Sequence, residues 1–226
     1  MIKVLVAIPV YNESEHLKSL LSRICKEVNK ADILVVDDGS SDRSFEIVKE
    51  SGIPIIRHAH NQGKGAALLT AFRYAREKQY QWVLTLDGDG QHDPKFIRSF
   101  LQAIKENRVD LIIGNRLDRS GTMPFHRILS NGITSIILSL CAGSNRIHDS
   151  QCGYRAIRIN CIDNLKLNNK GFQLESELIL KFGKAGYRLA EVPISTIYNN
   201  EKSAINPVGD TLKFIQLVIQ SFFYQF

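Results

Sequence analysis

The stretch 81–106, "QWVLTLDGDGQHDPKFIRSFLQAIKE", reads as one strand, one acidic turn and one helix. Residues 81–87 form an apolar run of strand length. From Pro94 onward, apolar residues recur at the spacing of a helix that buries one face. Asp93 ahead of Pro94 places a capping side chain before a proline in the first turn. Between strand and helix stand Asp87, Asp89 and Asp93, separated by glycine, glutamine and histidine. The chain carries a net charge of +6, so this crowding of acids does not follow from its composition.

The same alternation extends outward. "KVLVAIP" (3–9) precedes the helical pattern "SEHLKSLLSRICKEV" (14–28). "DILVVDD" (32–38) precedes "SDRSFEIVKES" (41–51), where Ser41 or Asp42 can cap the helix. "IPIIRH" (53–58) precedes "GKGAALLTAFRYAREK" (63–78), and "VDLIIGN" (109–115) reads as a further strand. Strand-length runs alternating with helical periods predict βαβ units and an α/β fold with a mostly parallel, Rossmann-like central sheet flanked by helices. Beyond it the pattern predicts helices over about 127–142 and 175–186, a strand over "YRLAEVPI" (187–194) and a last helix from about Pro207. No linker, repeat or low-complexity tract interrupts the chain. One domain over 1–226 is expected, with 198–226 forming a C-terminal apolar helix.

A hydrophobic content of 44% and a charged content of 23% place the chain among globular proteins rather than disordered ones. Its basic balance is compatible with nucleic acid, anionic lipid or a phosphorylated ligand. Cys25, Cys141, Cys152 and Cys161 form no C-x-x-C pair, which argues against zinc. The N-terminus opens on a strand and not a secretory signal, so the reducing cytoplasm is the expected compartment. No window reaches the roughly 18 uncharged apolar residues of a spanning helix.

The acids collect at strand ends: Glu13 after the first, Asp37 and Asp38 after the second, Asp87 and Asp89 after the fourth. In an open α/β sheet that edge holds the ligand crevice. Acids converging there repel one another unless a cation or donor groups offset them. Alternate residues of an extended segment share a side, so Asp87, Asp89 and Gln91 can face one way. Their hard oxygens suit Mg²⁺ or Mn²⁺. An EF-hand loop is excluded, because counting from Asp87 puts His92 at the glycine position and Arg98 at the glutamate position. A site with so few protein ligands completes its shell with water and phosphate, which points to a nucleoside diphosphate. Gly88 and Gly90 would let the backbone approach it. Asp42 reads instead as a helix cap.

"HNQGKGAAL" (60–68) places Lys64 between glycines at a helix start, where charge and N–H groups can meet an anion. It is neither a P-loop nor a dinucleotide fingerprint, since Leu68 stands where a third glycine would be. The alternative is a flexible turn with a surface lysine. His58 and His60 could form a metal pair but read better as solvated, His16 as helix surface, and the sequon-like 12–14 as part of the first acidic turn.

Taken in order, "IPVYNE", "VVDDGSSD", "NQGKGAAL", "DGDGQHDP", "GNR" and "DSQCGYRAI", extended by "FQLESELILKFGKAGYRLAEVPI" (172–194), resemble the family 2 glycosyltransferases of GT-A fold. Within that family the likeness is to the dolichyl- and polyprenyl-phosphate sugar synthases. The resemblance implies that Pro9, Tyr11, Glu13 and Asp37 hold the base and ribose of a nucleotide-sugar. Lys64 and Asp87 would lie by the ribose and diphosphate, and Asp89 and Gln91 would bind the metal. Arg116 and Arg155 would face the transferred sugar or the acceptor. His126, Arg127 and Ser130 stand where the family carries a basic pair and a serine.

The implied reaction is metal-dependent, inverting hexosyl transfer from a UDP- or GDP-sugar to a polyprenyl phosphate. An ionised lipid phosphate needs cations to hold it, with Arg116, Arg127 and Lys202 as candidates. Transfer to a saccharide hydroxyl is the alternative and needs a base, for which Glu175 is the candidate; Glu175 also suits the first turn of a helix. A non-catalytic nucleotide-binding subunit of a membrane complex is a third reading, against which Asp87, Asp89 and Gln91 speak. Asp89, Arg116, Arg155 and Glu175 form the expected catalytic set, and no nucleic-acid partner is expected. Ile128, Leu129, Ile133, Ile136, Ile137 and Leu140 fall near helical spacing. So do Phe214, Ile215, Leu217, Val218, Phe222 and Phe223. Such helices either pack into the core or a homodimer interface, or lie peripherally on the inner face of the membrane.

Overall fold

The computed structural model describes residues 2–106, 109–116, 125–143, 146–195 and 207–223, with backbone alone at 125–127 and 207–210. Strand β1 (Val4–Val10) is followed by helix α1 (Ser14–Ile24), β2 (Ile33–Asp37) by α2 (Ser44–Ser51), β3 (Ile55–Arg57) by α3 (Lys64–Glu77), and β4 (Trp82–Thr85) by α4 (Ile97–Glu106). Then come β5 (Leu111–Asn115), α5 (Phe125–Ala142), β6 (Arg155–Arg158), α6 (Ile159–Asp163), α7 (Gln173–Lys184), β7 (Leu189–Pro193) and α8 (Pro207–Ser221). Seven strands form one sheet in the order β3-β2-β1-β4-β6-β5-β7.

The β-branched runs pair in parallel. Val6 lies opposite Ile33, Val4 opposite Trp82 and Leu111 opposite Leu189. The one reversal is β6, antiparallel to both neighbours, with Thr85 opposite Arg155 and Ile113 opposite Arg155. Its direction has a consequence for the site. A reversed strand begins at the edge where the parallel strands end, so residues 149–154 arrive beside Asp87 and Asn115. The "DSQCGYRAI" segment is therefore a loop plus a strand, which the four-residue run between two arginines does not announce as β structure.

Central strands are covered on both faces, as their near-continuous apolar sequence requires. Leu5, Ile8, Leu34 and Leu84 are fully buried. Helices α1 and α2 pack together with α4 close by on one face, and α3 and α7 pack together on the other. Helices α5 and α8 lie outermost against α7. Tyr154 stacks on Phe100, ring centroids 4.6 Å apart, and His92 leans on Tyr154 at 5.2 Å.

Helix starts follow the expected chemistry with one change. Asp42 does not cap α2 alone. Its Oδ1 accepts from Ser44 N at 2.9 Å and its Oδ2 from Ser14 N at 3.0 Å, so one carboxylate serves the first residues of α1 and α2 together. Burial alone would raise its pKa, but the Ser44 and Ser14 donors outweigh it and lower it to about 2. Asp93 accepts from Lys95 N at 3.2 Å and precedes Pro94 in a single 3₁₀ turn leading into α4.

Helix α5 departs from the usual arrangement. Its buried side mixes Asn131, Ser135 and Ser139 with Leu138 and Ala142, whereas Leu129, Ile133, Ile136 and Leu140 are exposed, Leu140 by 77%. The buried polar groups are satisfied in a seam. Ser135 Oγ donates to Ser150 Oγ at 2.9 Å, Ser139 Oγ to Ser135 O at 2.7 Å, and Ser139 Oγ accepts from Ile147 N at 2.9 Å. Helix α8 buries Leu217 and Ser221 and exposes Leu212, Ile215 and Ile219, and Phe222 and Phe223 just beyond it are exposed too. Among the described residues no helix is long and apolar enough to cross a membrane.

Candidate functional site

The C-terminal edge of the sheet gathers the acidic turns. The β1 turn is locked onto the β2 turn. Asn12, at φ 59°, donates its N–H to Ser40 Oγ at 2.9 Å and accepts from Ser41 N at 2.8 Å, and Glu13 N donates to Ser44 Oγ at 2.9 Å. Tyr11 is exposed there, Pro9 and Glu13 half-buried. Asp37, expected to hold the base, is fully buried. Its Oδ1 accepts from Ser40 N at 3.1 Å, and its Oδ2 lies 3.0 Å from Arg57 Nε.

The strongest electrostatic feature is a half-buried cation between two carboxylates. Lys64 Nζ, on the first residue of α3, lies 2.7 Å from Asp87 Oδ1 and 3.2 Å from Glu175 Oε1. Burial alone would lower the Lys64 pKa, but Asp87 and Glu175 outweigh it and hold it above the usual lysine range. Burial alone would likewise raise Asp87; Lys64 and His92 hold it well below the usual carboxylate range instead. His92 Nε2 stands 3.5 Å from Asp87 Oδ2, so Asp87 is held from both sides. Lys64 is thus no surface lysine on a flexible turn. The N–H groups expected to stand open at this helix start are partly spent, because Ala66 N donates to Lys170 O at 2.9 Å.

Asp89 and Gln91 share one tight turn, in which Asp89 Oδ1 accepts from Gln91 N at 2.9 Å. Among the described residues no three His, Cys, Asp or Glu side chains cluster as a ready-made metal cage. One carboxylate and one amide oxygen at a crevice rim fit a hard cation that takes its remaining ligands from phosphate and water. Gly88 and Gly90 also meet packing requirements within the protein. A Cβ on Gly88 would lie 2.9 Å from Val10 Cγ2, and one on Gly90, at φ 75°, would lie 3.3 Å from His16 Cβ.

The two arginines differ in placement. Arg155, expected to face the sugar or the acceptor, is 1% exposed and its guanidinium is engaged by main-chain carbonyls. Its Nε, Nη1 and Nη2 donate to the carbonyls of Cys152, Glu175 and Ser150 at 2.7, 2.7 and 2.6 Å. It knits the start of β6 to α7 and so fixes Glu175. Arg116 grips Asp149 with two nitrogens, Nε to Oδ2 at 2.6 Å and Nη2 to Oδ1 at 2.8 Å. Asn131 on α5 donates to the same Asp149 Oδ1 at 2.6 Å. Burial alone would raise Asp149, but the Arg116 fork outweighs it and lowers it. Glu175, buried and ion-paired to Lys64, is poorly placed as a base for a sugar hydroxyl. Ser130 is exposed on α5. The side chains of His126 and Arg127, and the whole of Lys202, lie outside the described residues.

Sequence reasoning missed Gly153. A Cβ there would stand 2.5 Å from Asp87 Oδ2 and 2.8 Å from Lys64 Nζ, so the backbone of the β6 loop presses directly on the ion pair. Thr85 Oγ1 donates to Gly153 O at 2.8 Å and holds that loop in place. The glycine between Cys152 and Tyr154 was the available signal, but a lone glycine does not name its neighbour.

Comparisons with known proteins agree with this fold. A family model described as glycosyl transferase family 2 matches residues 5–163. The chain is 30% identical over 206 residues to the undecaprenyl-phosphate mannosyltransferase of Micrococcus luteus, covering 86% of this chain and 84% of that one. It is 30% identical over 219 residues to the UDP-N-acetylglucosamine–dolichyl-phosphate N-acetylglucosaminyltransferase of Methanococcus voltae, covering 87% and 86%. Among solved structures it is similar to glucosyl-3-phosphoglycerate synthase from Mycobacterium tuberculosis in complex with Mn²⁺, UDP and phosphoglyceric acid. The TM-score is 0.73 at 17% identity, covering 97% of this chain and 77% of that one, a likeness of GT-A fold. The chain belongs to glycosyl transferase family 2.

Proposed function

We propose that this glycosyltransferase moves a sugar from a UDP- or GDP-linked donor to a polyprenyl phosphate, with inversion, at a membrane surface. The observation that carries the reading is the meeting, at one sheet edge, of the Lys64–Asp87 pair with the Asp89 and Gln91 turn, beside a helix whose outward face is apolar. The names of the Micrococcus and Methanococcus relatives, both of which act on polyprenyl-type phosphates, support the acceptor class.

In this reading Pro9, Tyr11 and Glu13 border the nucleoside, with Asp37 shaping the turn from below. Lys64 and Asp87 lie by the ribose and diphosphate. Asp89 and Gln91 would hold Mg²⁺ or Mn²⁺, whose chemistry is to offset the charge of the departing diphosphate. Lys64, held between Asp87 and Glu175, would present its ammonium as a donor to a diphosphate oxygen. A phosphate oxygen of the acceptor forms the new bond to the anomeric carbon as the bond to the diphosphate breaks on the opposite face. An ionised phosphate brings no proton to remove, which agrees with Glu175 being engaged by Lys64 rather than poised as a base. Arg116, held in position by Asp149, directly follows β5, and Arg127, Ser130 and Lys202 are the acceptor-side candidates.

Helices α5 and α8 supply the membrane side. The exposed Leu129, Ile133, Ile136 and Leu140 of α5 form an apolar face of the kind that marks an interaction surface. A lipid surface fits, since Lys213 stands exposed among the apolar residues of α8 and the chain is net basic. One apolar face of this kind gives reversible attachment.

The test uses radiolabelled UDP- and GDP-sugars, Mn²⁺ and undecaprenyl phosphate in vesicles, followed by solvent extraction. Label entering the organic phase is the expected result. Label that transfers only to water-soluble saccharide would overturn the lipid reading.

A further inference from the structure

We propose that Asp38, the second acid of "VVDDGSSD", is a positioning residue that sets Lys64 for the donor diphosphate; the inference rests on the reading of Lys64 given above. Asp37 and Asp38 are neighbours whose carboxylates diverge. Asp37 turns to Ser40 and Arg57, whereas Asp38 turns into the segment 58–63, which joins β3 to α3. Asp38 is 3% exposed. Its Oδ1 lies 2.6 Å from His58 Nδ1 and accepts from Gln62 N at 3.0 Å. Its Oδ2 accepts from Gln62 N at 3.1 Å and from Gly63 N at 2.7 Å. The amide it holds most closely is therefore the one immediately before Lys64.

Three features make this a clamp on Lys64 rather than general loop support. Gly63 is the residue before α3 and has φ 97°, a conformation in which the chain turns sharply into the helix. The Asp38 carboxylate is bound at that turn by charge-assisted bonds, which are shorter and stronger than neutral ones. His58 is itself oriented on its far side, Nε2 lying 2.9 Å from Thr70 Oγ1 on α3. With the carboxylate 2.6 Å from Nδ1, the ring donates to Asp38 through that nitrogen and turns Nε2 to the Thr70 hydroxyl. Asp38 is in turn tied to the donor crevice, its N–H donating to Val10 O at 2.8 Å. The acid thus connects β1, β2, the 58–63 segment and α3, and Lys64 follows directly on the amide it holds most closely. Loss of the clamp leaves Lys64 present but lets its Cα move relative to Asp87.

The experiment is a double-mutant cycle read by calorimetric binding of UDP and GDP, each with Mn²⁺. Asp38→Asn removes the charge while keeping the shape. It is expected to weaken binding of the nucleoside diphosphate by about tenfold, the scale of losing charge-assisted hydrogen bonds. Lys64→Met is expected to weaken it at least as much. If Asp38 acts through Lys64, Asp38→Asn adds no more than about twofold in the Lys64→Met background, because the two share one effect. His58→Phe keeps an aromatic ring, loses both hydrogen bonds and is expected to show a smaller loss that also disappears in that background. It decides the matter by the same criteria should Asp38→Asn not fold. Wild-type affinity in both Asp38→Asn and His58→Phe, or a full additive loss in the Lys64→Met background, overturns the positioning role alone. Wild-type affinity in Lys64→Met, or a wild-type protein that binds neither nucleotide, overturns the reading of Lys64 and this inference with it.

Discussion

Gly153 shows how little room surrounds the central ion pair. Its main chain occupies the place where any Cβ would touch both Asp87 and Lys64. Gly153→Ala is expected to force the pair apart and to lower kcat/KM for the donor at least tenfold, about 1.4 kcal/mol of transition-state stabilisation. Gly132→Ala is the contrasting variant. Nothing lies within 4 Å of a Cβ there, and the residue sits inside α5. Its melting temperature should hold or rise, since alanine favours a helix over glycine by about 0.5–1 kcal/mol. Equal activity in both variants would show that the pair tolerates displacement. Arg155 teaches the converse lesson. A buried arginine with three nitrogens on carbonyls is structural, and Arg155→Lys should destabilise the fold because an ammonium cannot span three divergent acceptors. A loss of about 2 kcal/mol or more in denaturant unfolding is expected, from orphaned buried carbonyls.

At the scale of elements, the first four βα units were legible because each pairs a β-branched run with a 3.6-residue period, and both faces of the sheet are covered. The strand β6 was not, since four residues bounded by Arg155 and Arg158 present no alternation of their own; pairing to β4 and β5 makes it a strand. The apolar spacing of α5 was visible, but not which face it lay on. Burial of Asn131, Ser135 and Ser139 depends on partners at 147–150 that are distant in folding terms and unannounced in sequence. This exposed face carries a prediction. Ile133→Glu with Leu140→Glu should leave the melting temperature nearly unchanged, because both side chains are already in water, while abolishing flotation with anionic vesicles. Retained flotation would remove α5 from the proposed lipid contact. The shared cap at Asp42 carries another. Its folded pKa is depressed below 3.8 to about 2, so the stability it contributes is present above about pH 4 and is lost as pH falls toward 2. Asp42→Asn should cost about 1 kcal/mol at pH 7, with the gap to wild type closing over that acid window in urea titrations.

For the whole molecule, the sheet order explains why one edge does the work. Strands β1, β2 and β4 deliver acids to that edge, α3 delivers Lys64, and the reversed β6 brings Gly153 and Asp149 to the same place. Sequence reading placed the acids, since each ends an apolar run. It could not tell which acids are ligand-facing, because Asp37 and Asp38 are distinguished only by the loops they hold. The central claim is that a divalent ion held at Asp89 and Gln91 anchors a nucleoside diphosphate. Titration of Mn²⁺ followed by electron paramagnetic resonance, with and without UDP or GDP, tests it most directly. Tight, nucleotide-dependent loss of the free Mn²⁺ signal in wild type, and its absence in Asp89→Ala with an unchanged melting temperature, is the expected result; equally tight binding in Asp89→Ala would contradict the account.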